Sequence, residues 1–301
     1  MPNLEARLGS LRLKNPALVA SGTFGGRMDD VLDLSLLGGV VEKTVTLKQR
    51  KGNPPPRVWE TPSGMLNAIG LENYGLEGWI KKRYPQVKDY PCALVISVSG
   101  STIEEFGLLV KRLDEMPRLD AFELNISCPN VSHGMDLGTD PAATEKVVAL
   151  CKKSTARPVF AKLTPNVTDV VKIAEGAVNG GADGISLINT LQGLAVDWRK
   201  RRACLGNGTG GLSGPAVKPV ALRMVWEVRK RFPRIPIMGI GGIMTADDVL
   251  EFAVAGADAV QFGTANFIDP QSATKAVAAL DGKLREAGVD RFTDLVGTMK
   301  A

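Results

Sequence analysis

The sequence predicts a single (β/α)8 TIM barrel, and three observations carry that prediction. Short apolar runs rich in β-formers recur along the chain, most are followed by a helical stretch, and there are eight of them. The 301 residues, 44% of them hydrophobic, are enough to bury a large core. We expect one domain over residues 1–301, although two smaller domains would also fit this length.

The elements follow in order. The opening LEARLGSLRLKNP predicts a small hairpin that turns at Gly9-Ser10 and closes the barrel floor. The eight predicted strands are ALVAS, GVVEKT, ALVISV, AFELNIS, VFAKLT, GISLINT, IPIMGIGG and AVQFGT. Long inserts rich in Gly and Pro follow the second and sixth strands, and loops of that length usually form a lid or a binding surface.

Helix start and stop signals lie between the strands. Ser101 with Glu104 has the spacing of a capping box, and Asp140 before Pro141 is typical of an N-cap with proline at the first helical position. The remaining predicted N-caps are Thr168 and Thr245, and the predicted helix ends are Gly180 and Gly256.

Composition limits the function classes. A formal net charge of +5 favours an anionic ligand, while nucleic-acid binding is a weak alternative because only 5% of the residues are aromatic. The densest basic run, WRKRR at residues 198–202, is typical of an exposed loop. No apolar run approaches 18 residues, and the N-terminus lacks the order of a signal peptide, so we expect a soluble, cytoplasmic protein.

Polar residues interrupt the ends of the apolar runs. In a barrel of this type the ligand-binding groups lie at the C-terminal ends of the strands. We therefore expect these residues to lie together at that open end, the barrel mouth. They are Ser21, Lys43, Ser97, Asn125, Lys162, Asn189, Gly241-Gly242 and Gly263-Thr264.

The two lysines among them are unusual, because a buried ammonium is costly without a negative partner. Lys43 and Lys162 therefore each imply an acidic partner or an anionic ligand, unless the side chain extends into solvent. The glycines after the seventh and eighth strands predict a phosphate-bearing cofactor, because glycine lets free backbone N–H groups approach an anion closely.

Cys128 follows the fourth strand, five residues before His133, the one histidine of the chain. The four cysteines are too scattered for a zinc cage or a disulfide framework, so no metal site is expected. A Cys-His nucleophile pair and a structural cysteine remain alternatives. We favour Cys128 as a general base, because a thiol can remove a proton from a carbon acid, and we expect His133 to belong to a loop that closes over it.

Several long motifs then resemble one family over nearly the entire chain. They are NISCPNV with HG and GTDP, SGMLNAIGLEN, LTPNVTD, INT, GGLSGPA and GTANF. Together they resemble the catalytic subunit of the dihydroorotate dehydrogenases, in the NAD-linked, two-subunit class 1B. The resemblance implies oxidation of (S)-dihydroorotate to orotate in pyrimidine (UMP) synthesis with FMN at the barrel mouth, where Cys128 takes the C5 proton and hydride passes from C6 to flavin N5.

The resemblance also implies site residues. Those toward the substrate are Lys43, Asn67, Ala68, Ile69, Gly70, Leu71, Asn125, Asn130, Asn189 and Thr190. Those toward the flavin are Ala20, Ser21, Lys43, Thr44, Ser97, Asn125, Lys162, Ile188, Gly214, Gly241, Gly242, Gly263 and Thr264. Ser97 departs from the family, which often has asparagine there, and a serine can still hydrogen-bond a flavin.

The class implies an electron-transfer partner that carries FAD and a 2Fe–2S cluster and passes electrons to NAD. This chain has no G-x-G-x-x-G after a strand and no clustered cysteines, which supports a heterotetramer of two catalytic and two electron-transfer chains. Two alternatives remain: a flavin barrel that reduces a dihydropyrimidine or dihydrouridine, and a non-catalytic barrel that binds phosphate ligands or RNA. Lys43 argues against the former, since a plain pyrimidine needs no cation.

Overall fold

Eight parallel strands close into a barrel in this computed structural model, which describes residues 1–25, 30–127 and 137–300. The barrel strands are Ala17–Val19, Gly39–Val45, Ala93–Val98, Ala121–Asn125, Val159–Lys162, Gly184–Leu187, Ile237–Ile240 and Ala259–Phe262. Each pairs with its neighbours in chain order, and the eighth closes on the first. All eight predicted strands and the fold class are therefore confirmed.

Helices form the outer layer. The α-helices of the described residues are Gly75–Lys82, Tyr84–Val87, Ile103–Asp114, Pro141–Lys153, Val170–Asn179, Lys218–Arg231, Ala246–Ala255, Ala265–Ile268 and Ser272–Glu286. Short 3-10 helices cover Leu34–Leu36, Pro215–Val217 and Phe292–Leu295. The main core lies between this layer and the sheet, where Phe106, Phe122 and Phe252 are fully buried. No helix of the described residues is long and apolar enough to cross a membrane.

The predicted N-terminal hairpin is present. Strands Ala6–Leu8 and Leu11–Leu13 pair around Gly9, whose φ of +63° suits glycine. Leu8 and Leu13 are buried in a second core cluster with residues from inside the barrel, among them Phe160 and Met238. The hairpin therefore closes the N-terminal end of the barrel, and the C-terminal end carries the mouth.

The two long inserts join into one sheet, which the sequence did not predict. The insert after the second strand forms a hairpin from Val58–Thr61 and Gly64–Asn67. The latter strand pairs with Gly210–Ser213 of the second insert, which pairs in turn with Leu191–Gly193. The run WRKRR lies at the exposed end of a further hairpin, Val196–Asp197 with Arg202–Ala203, so its prediction as an exposed loop is confirmed.

Two predicted helix caps are wrong by one residue. Thr102, not Ser101, caps the helix Ile103–Asp114, and its side chain accepts from the Glu105 N–H. The helix begins one residue later than the motif suggested. Asp169, not Thr168, caps the helix Val170–Asn179, since a carboxylate accepts there from two backbone N–H groups. The other predicted helix ends are confirmed: Asp140 with Pro141, Thr245, Gly180 and Gly256.

Candidate functional site

A β-bulge in the second barrel strand places two side chains inside the mouth. Glu42 pairs with Ile96 and Val45 with Val98, so Lys43 and Thr44 together face the single residue Ser97. A bulge adds one residue to one strand and breaks the alternation of its side chains. Lys43 and Thr44 can therefore both line the barrel interior, although they are consecutive in sequence.

A network of hydroxyl and amide groups crosses the mouth. The Thr44 hydroxyl lies 2.9 Å from the Ser97 Oγ and 3.2 Å from the Ser21 Oγ, and it accepts from the Asn125 amide at 3.5 Å. The Asn189 amide donates to the Asn125 Oδ1 at 3.2 Å. Side chains from five strand ends thus meet in one network with both donors and acceptors.

Lys43 is the cation of this mouth. Its ammonium has no ion pair or hydrogen bond within the part of the chain that the structure describes. Burial lowers the pKa of Lys43 below its ordinary value, and the more distant negative charge of Glu72 opposes that shift only in part. Such a group favours an anion, because a bound negative charge would replace the solvation that burial has removed.

Lys162 has a different environment, since it already has the acidic partner that the sequence allowed. Its Nζ lies 3.2 Å from the Glu123 carboxylate, which is fully buried on the fourth strand. The Gln261 amide donates to the other carboxylate oxygen at 2.7 Å. Lys162 therefore belongs to a charge-balanced cluster inside the barrel, whereas Lys43 does not.

A turn of two glycines, Gly241 and Gly242, lines the other side of the mouth. A Cβ on Gly242 would lie 2.7 Å from the Lys218 Cβ and 3.0 Å from the Gly214 oxygen, and a Cβ on Gly241 would lie 3.4 Å from the Ile188 Cγ1. Gly241 and Gly242 have φ of +127° and +77°, which only glycine adopts readily.

The same loops hold further predicted residues. A Cβ on Gly214 would lie 3.5 Å from the Thr264 Cγ2, and one on Gly263 would lie 3.8 Å from the Ala20 Cβ. The Thr264 hydroxyl donates to the Ser213 hydroxyl at 2.8 Å. This group of loops offers close access to backbone, which suits an anionic phosphate.

The insert sheet brings Asn67 to the remaining predicted residues. The Asn67 amide donates to the Gly211 oxygen at 3.3 Å, and a Cβ on Gly211 would lie 2.0 Å from the Thr190 Oγ1. Thr190 in turn donates its N–H to the Asn189 Oδ1 at 2.9 Å. The two inserts therefore connect Asn67 to the amide network of the barrel.

The residues after Asn67 form a loop beside the first insert. Ala68 is buried and donates its N–H to the Arg57 oxygen, and the Ile69 oxygen accepts from the Asn53 N–H. Gly70 and Leu71 have φ of +75° and +55°. Residues 68–71 thus follow the insert strand as a tightly turned segment.

Three predicted residues lie outside the described part of the chain: Cys128, Asn130 and His133. Their roles stay predictions. Ser127, the last described residue before them, donates its hydroxyl to the Lys162 oxygen at 3.1 Å and so lies beside the fifth strand.

Sequence reasoning missed Glu123, Gln261 and Ser213. The first two lie in the middle of apolar strands, AFELN and AVQF, whereas the predicted site residues lie at strand ends. Their alternation with outward-facing apolar neighbours was the available signal, because it directs them into the barrel. Among the described residues, no group of three His, Cys, Asp or Glu side chains could hold a metal ion.

The fold and its polar mouth place the chain among the (β/α)8-barrel proteins that bind ligands at the C-terminal ends of the strands. A match to the dihydroorotate dehydrogenase family spans residues 3–284. The chain is 49% identical to the "Dihydroorotate dehydrogenase B (NAD(+)), catalytic subunit" of Geotalea daltonii and 50% identical to that of Pelobacter propionicus, with 99% of each chain covered. The protein of the same name from Geotalea uraniireducens is 48% identical over 99% of this chain and 98% of its own.

The chain therefore belongs to the dihydroorotate dehydrogenase family, a family of oxidoreductases. The resemblance drawn from its motifs, including the NAD-linked class, is confirmed.

Proposed function

We propose that this chain, as one FMN-binding domain over residues 1–301, oxidises (S)-dihydroorotate to orotate in pyrimidine synthesis. The observation that carries the proposal is Lys43, a mostly buried ammonium at the mouth without a described counter-charge. Dihydroorotate is an amide ring with one carboxylate. A cation beside a network of asparagine and hydroxyl groups complements both parts of that molecule.

The substrate contacts follow from this arrangement. Lys43 binds the carboxylate, while Asn67, Asn125 and Asn189 offer amide groups that both donate to and accept from the ring. Asn125 and Asn189 hold each other through a hydrogen bond, and Asn67 is held by the Gly211 oxygen, before the substrate arrives. Asn130 and residues 68–71 complete the proposed substrate contacts.

The described residues fit FMN. The glycines at Gly214, Gly241-Gly242 and Gly263 carry no side chain that would keep a phosphate from the backbone, and Ser21, Thr44 and Ser97 offer hydroxyl groups at the same mouth. When bound, the flavin supplies the acceptor for the hydride that leaves the substrate C6.

Cys128 holds the remaining role, removal of the C5 proton. A thiol near its ordinary pKa can lose its proton at moderate cost and act as a general base. The chain has one histidine, His133, which we expect to belong to the loop that closes over the site, so the thiol is the proposed base.

The electrons then leave through a partner. Relatives carry the name "catalytic subunit" with NAD(+), which supports a second subunit. From the motif resemblance we propose that this subunit carries FAD and a 2Fe–2S cluster, in a heterotetramer of two chains of each kind. We propose that the protein carries out this reaction in the cytoplasm.

Anaerobic addition of dihydroorotate to the purified, FMN-loaded chain tests the function. We expect the flavin absorbance to bleach. Lys43→Met should weaken dihydroorotate binding by roughly 2 kcal/mol or more, about 30-fold, because the carboxylate loses its cation. Lys48→Met, at an exposed lysine five residues on, is the matched control and should bind as the parent does.

Dihydrouracil, which lacks the carboxylate, separates this proposal from a plain dihydropyrimidine substrate. We expect it to bleach the parent flavin far more slowly than dihydroorotate does. A protein that dihydrouracil reduces as fast as dihydroorotate, or one that dihydroorotate does not reduce, contradicts the proposed function.

A further inference from the structure

Four polar side chains occupy one level of the barrel interior, where apolar residues fill the level below. Glu123 and Gln261 are fully buried, Lys162 is nearly so, and Ser186 lies directly beside Lys162 in the strand register. A buried ion pair contributes little to stability compared with well-packed apolar side chains. Stability alone therefore does not explain why this level is charged.

The hydrogen bonds of this level leave part of its capacity unused. Glu123 accepts from the Lys162 Nζ at 3.2 Å and from the Gln261 Nε2 at 2.7 Å. An ammonium has three N–H donors, and Lys162 uses one within the described residues. The Ser186 Oγ and Gln261 Oε1 are buried and have no partner there.

Lys162 also lies at the boundary between this level and the mouth. It is the last residue of the fifth strand and pairs in register with Asn125, two residues beyond the pair of Glu123 and Phe160. Its ammonium thus contacts the buried carboxylate, while its backbone lies beside Asn125 of the network that crosses the mouth. A change in the charge of Glu123 would change the electrostatic potential at the mouth, because the barrel interior screens charges poorly.

We infer that Glu123, held by Gln261, is a positioning residue that acts through Lys162 to set the reduction potential of the flavin. The inference rests on the proposed function only in that FMN binds at this mouth. Two-electron reduction with uptake of one proton leaves the flavin with one more negative charge. The Lys162 ammonium stabilises that charge, and the Glu123 carboxylate offsets part of the stabilisation.

Potentiometric titration of the FMN-loaded chain with dithionite and a reference dye tests this without any substrate. In Glu123→Gln the ammonium loses its counter-charge, so reduced FMN should bind about tenfold more tightly relative to oxidised FMN, a rise of about 30 mV in midpoint potential. Glu123→Asp keeps the charge and should stay closer to the parent potential. An unchanged or lower potential in Glu123→Gln overturns the inference.

The matched control is Glu42→Gln. Glu42 is similarly buried on the second strand, but it faces the helix layer and pairs with Arg83 at 2.9 Å. Both variants lose a buried charge pair, whereas only Glu123→Gln should change the potential. In a Lys162→Met background Glu123→Gln should shift the potential clearly less than in the parent, since residues in contact are not additive when one acts through the other. A shift as large in that background as in the parent, or an equal shift in Glu42→Gln, contradicts the inference.

Gln261→Leu provides the test if Glu123→Gln does not fold. It removes the amide that shares the carboxylate charge, together with an unsatisfied buried oxygen. The carboxylate then offsets Lys162 more fully, so the potential should fall, opposite to Glu123→Gln. A rise or no change overturns the inference. A chain that fails to bind FMN at all contradicts the proposed function instead, whereas an FMN-loaded chain that dihydroorotate does not reduce still allows the titration.

Discussion

Lys43 and Lys162 look alike in the sequence, since both are lysines near the ends of apolar strands, yet their surroundings differ. Lys162 is neutralised by Glu123 within the protein. Burial lowers the pKa of Lys43, which has no ion pair among the described residues. At the scale of single residues, the chain thus keeps one cation balanced and leaves the other without an ion pair among the described residues.

The lowered pKa of Lys43 predicts how orotate binding depends on pH. The carboxylate binds the ammonium form, so affinity should fall as pH rises through the Lys43 pKa, which lies below the ordinary value of 10.5. Titrating orotate into FMN-loaded Cys128→Ser measures this without ionisation of that thiol. Lys43→Met in the same background is the control and should remove the alkaline decline. A decline that persists in the control assigns it to another group.

The lowered pKa of Lys43 also predicts how the stability of the folded protein depends on pH. In the ligand-free protein, the unfolded chain holds the Lys43 proton to higher pH than the folded chain does, so burial of this charge destabilises the fold at neutral pH. The cost disappears as pH rises from the lowered folded pKa to the unfolded value. Lys43→Met should therefore raise the melting temperature of the ligand-free protein at neutral pH, and Lys48→Met should not. A lower melting temperature for Lys43→Met would show that its ammonium stabilises the fold.

Cys128→Ser tests the proposed base. The variant should still bind FMN, but reduction of the flavin by dihydroorotate should slow by orders of magnitude and recover in part at high pH, because a serine hydroxyl is a far poorer base. Stopped-flow absorbance measures the rate, and Cys151→Ser, at a buried thiol of the helix Pro141–Lys153, is the control. Reduction at the parent rate would show that another group removes the proton.

At the scale of elements, the turn after the seventh strand is held so that its backbone packs closely against neighbouring elements. Lys218 bonds Asp248 at 2.6 Å, and Asp248 also completes the capping box of Thr245. These contacts join the starts of the helices Lys218–Arg231 and Ala246–Ala255. Gly241-Gly242 passes beside Lys218, so the glycine turn is held in one conformation.

Gly242→Ala should therefore abolish tight FMN binding. A Cβ there would lie 2.7 Å from the Lys218 Cβ at a φ of +77°, which forces the turn to move. We expect at least about 100-fold weaker FMN binding, near 2.7 kcal/mol, by fluorescence titration. Gly288→Ala is the matched control, because its φ of +67° carries a similar backbone cost but nothing lies within 4 Å. Equal losses in both variants would assign the effect to stability alone.

At the scale of the whole molecule, the two inserts act as one structure although more than a hundred residues separate them. Their four-stranded sheet links Asn67 to Thr190 through Gly211. A substrate that contacts Asn67 and the barrel asparagines would therefore touch the sheet and the barrel together. This connection explains why loops of such length are useful at the mouth.

Gly211→Ala should separate substrate binding from flavin binding. Its Cβ would lie 2.0 Å from the Thr190 Oγ1, so the sheet must shift away from the barrel. We expect orotate affinity to fall about tenfold, ~1.4 kcal/mol, by titration, while FMN affinity is unchanged. Gly193→Ala lies in the same sheet, and its nearest contact is the end of a flexible side chain, the Leu66 Cδ2 at 3.0 Å, so it should bind both ligands as the parent does. Loss of FMN in Gly211→Ala would mean that the sheet also supports the flavin.

The sequence by itself determined the barrel, its eight strands, the hairpin beneath it and the family. Strand periodicity, glycine turns and long motifs are local signals, and local signals are readable from one chain. Cap positions were less secure, as Thr102 and Asp169 show, because neighbouring residues such as Ser101 and Thr168 can serve the same purpose.

Only the tertiary structure decided the pairing of the two inserts, the bulge that turns both Lys43 and Thr44 inward, and the Lys162–Glu123–Gln261 cluster. The insert pairing and the cluster join residues that lie far apart in sequence, and the bulge breaks the alternation of a strand. None of the three leaves a fixed residue spacing in the sequence. A lysine in a strand signals that an anion is needed, but only closure of the barrel determines whether the protein or the ligand supplies it.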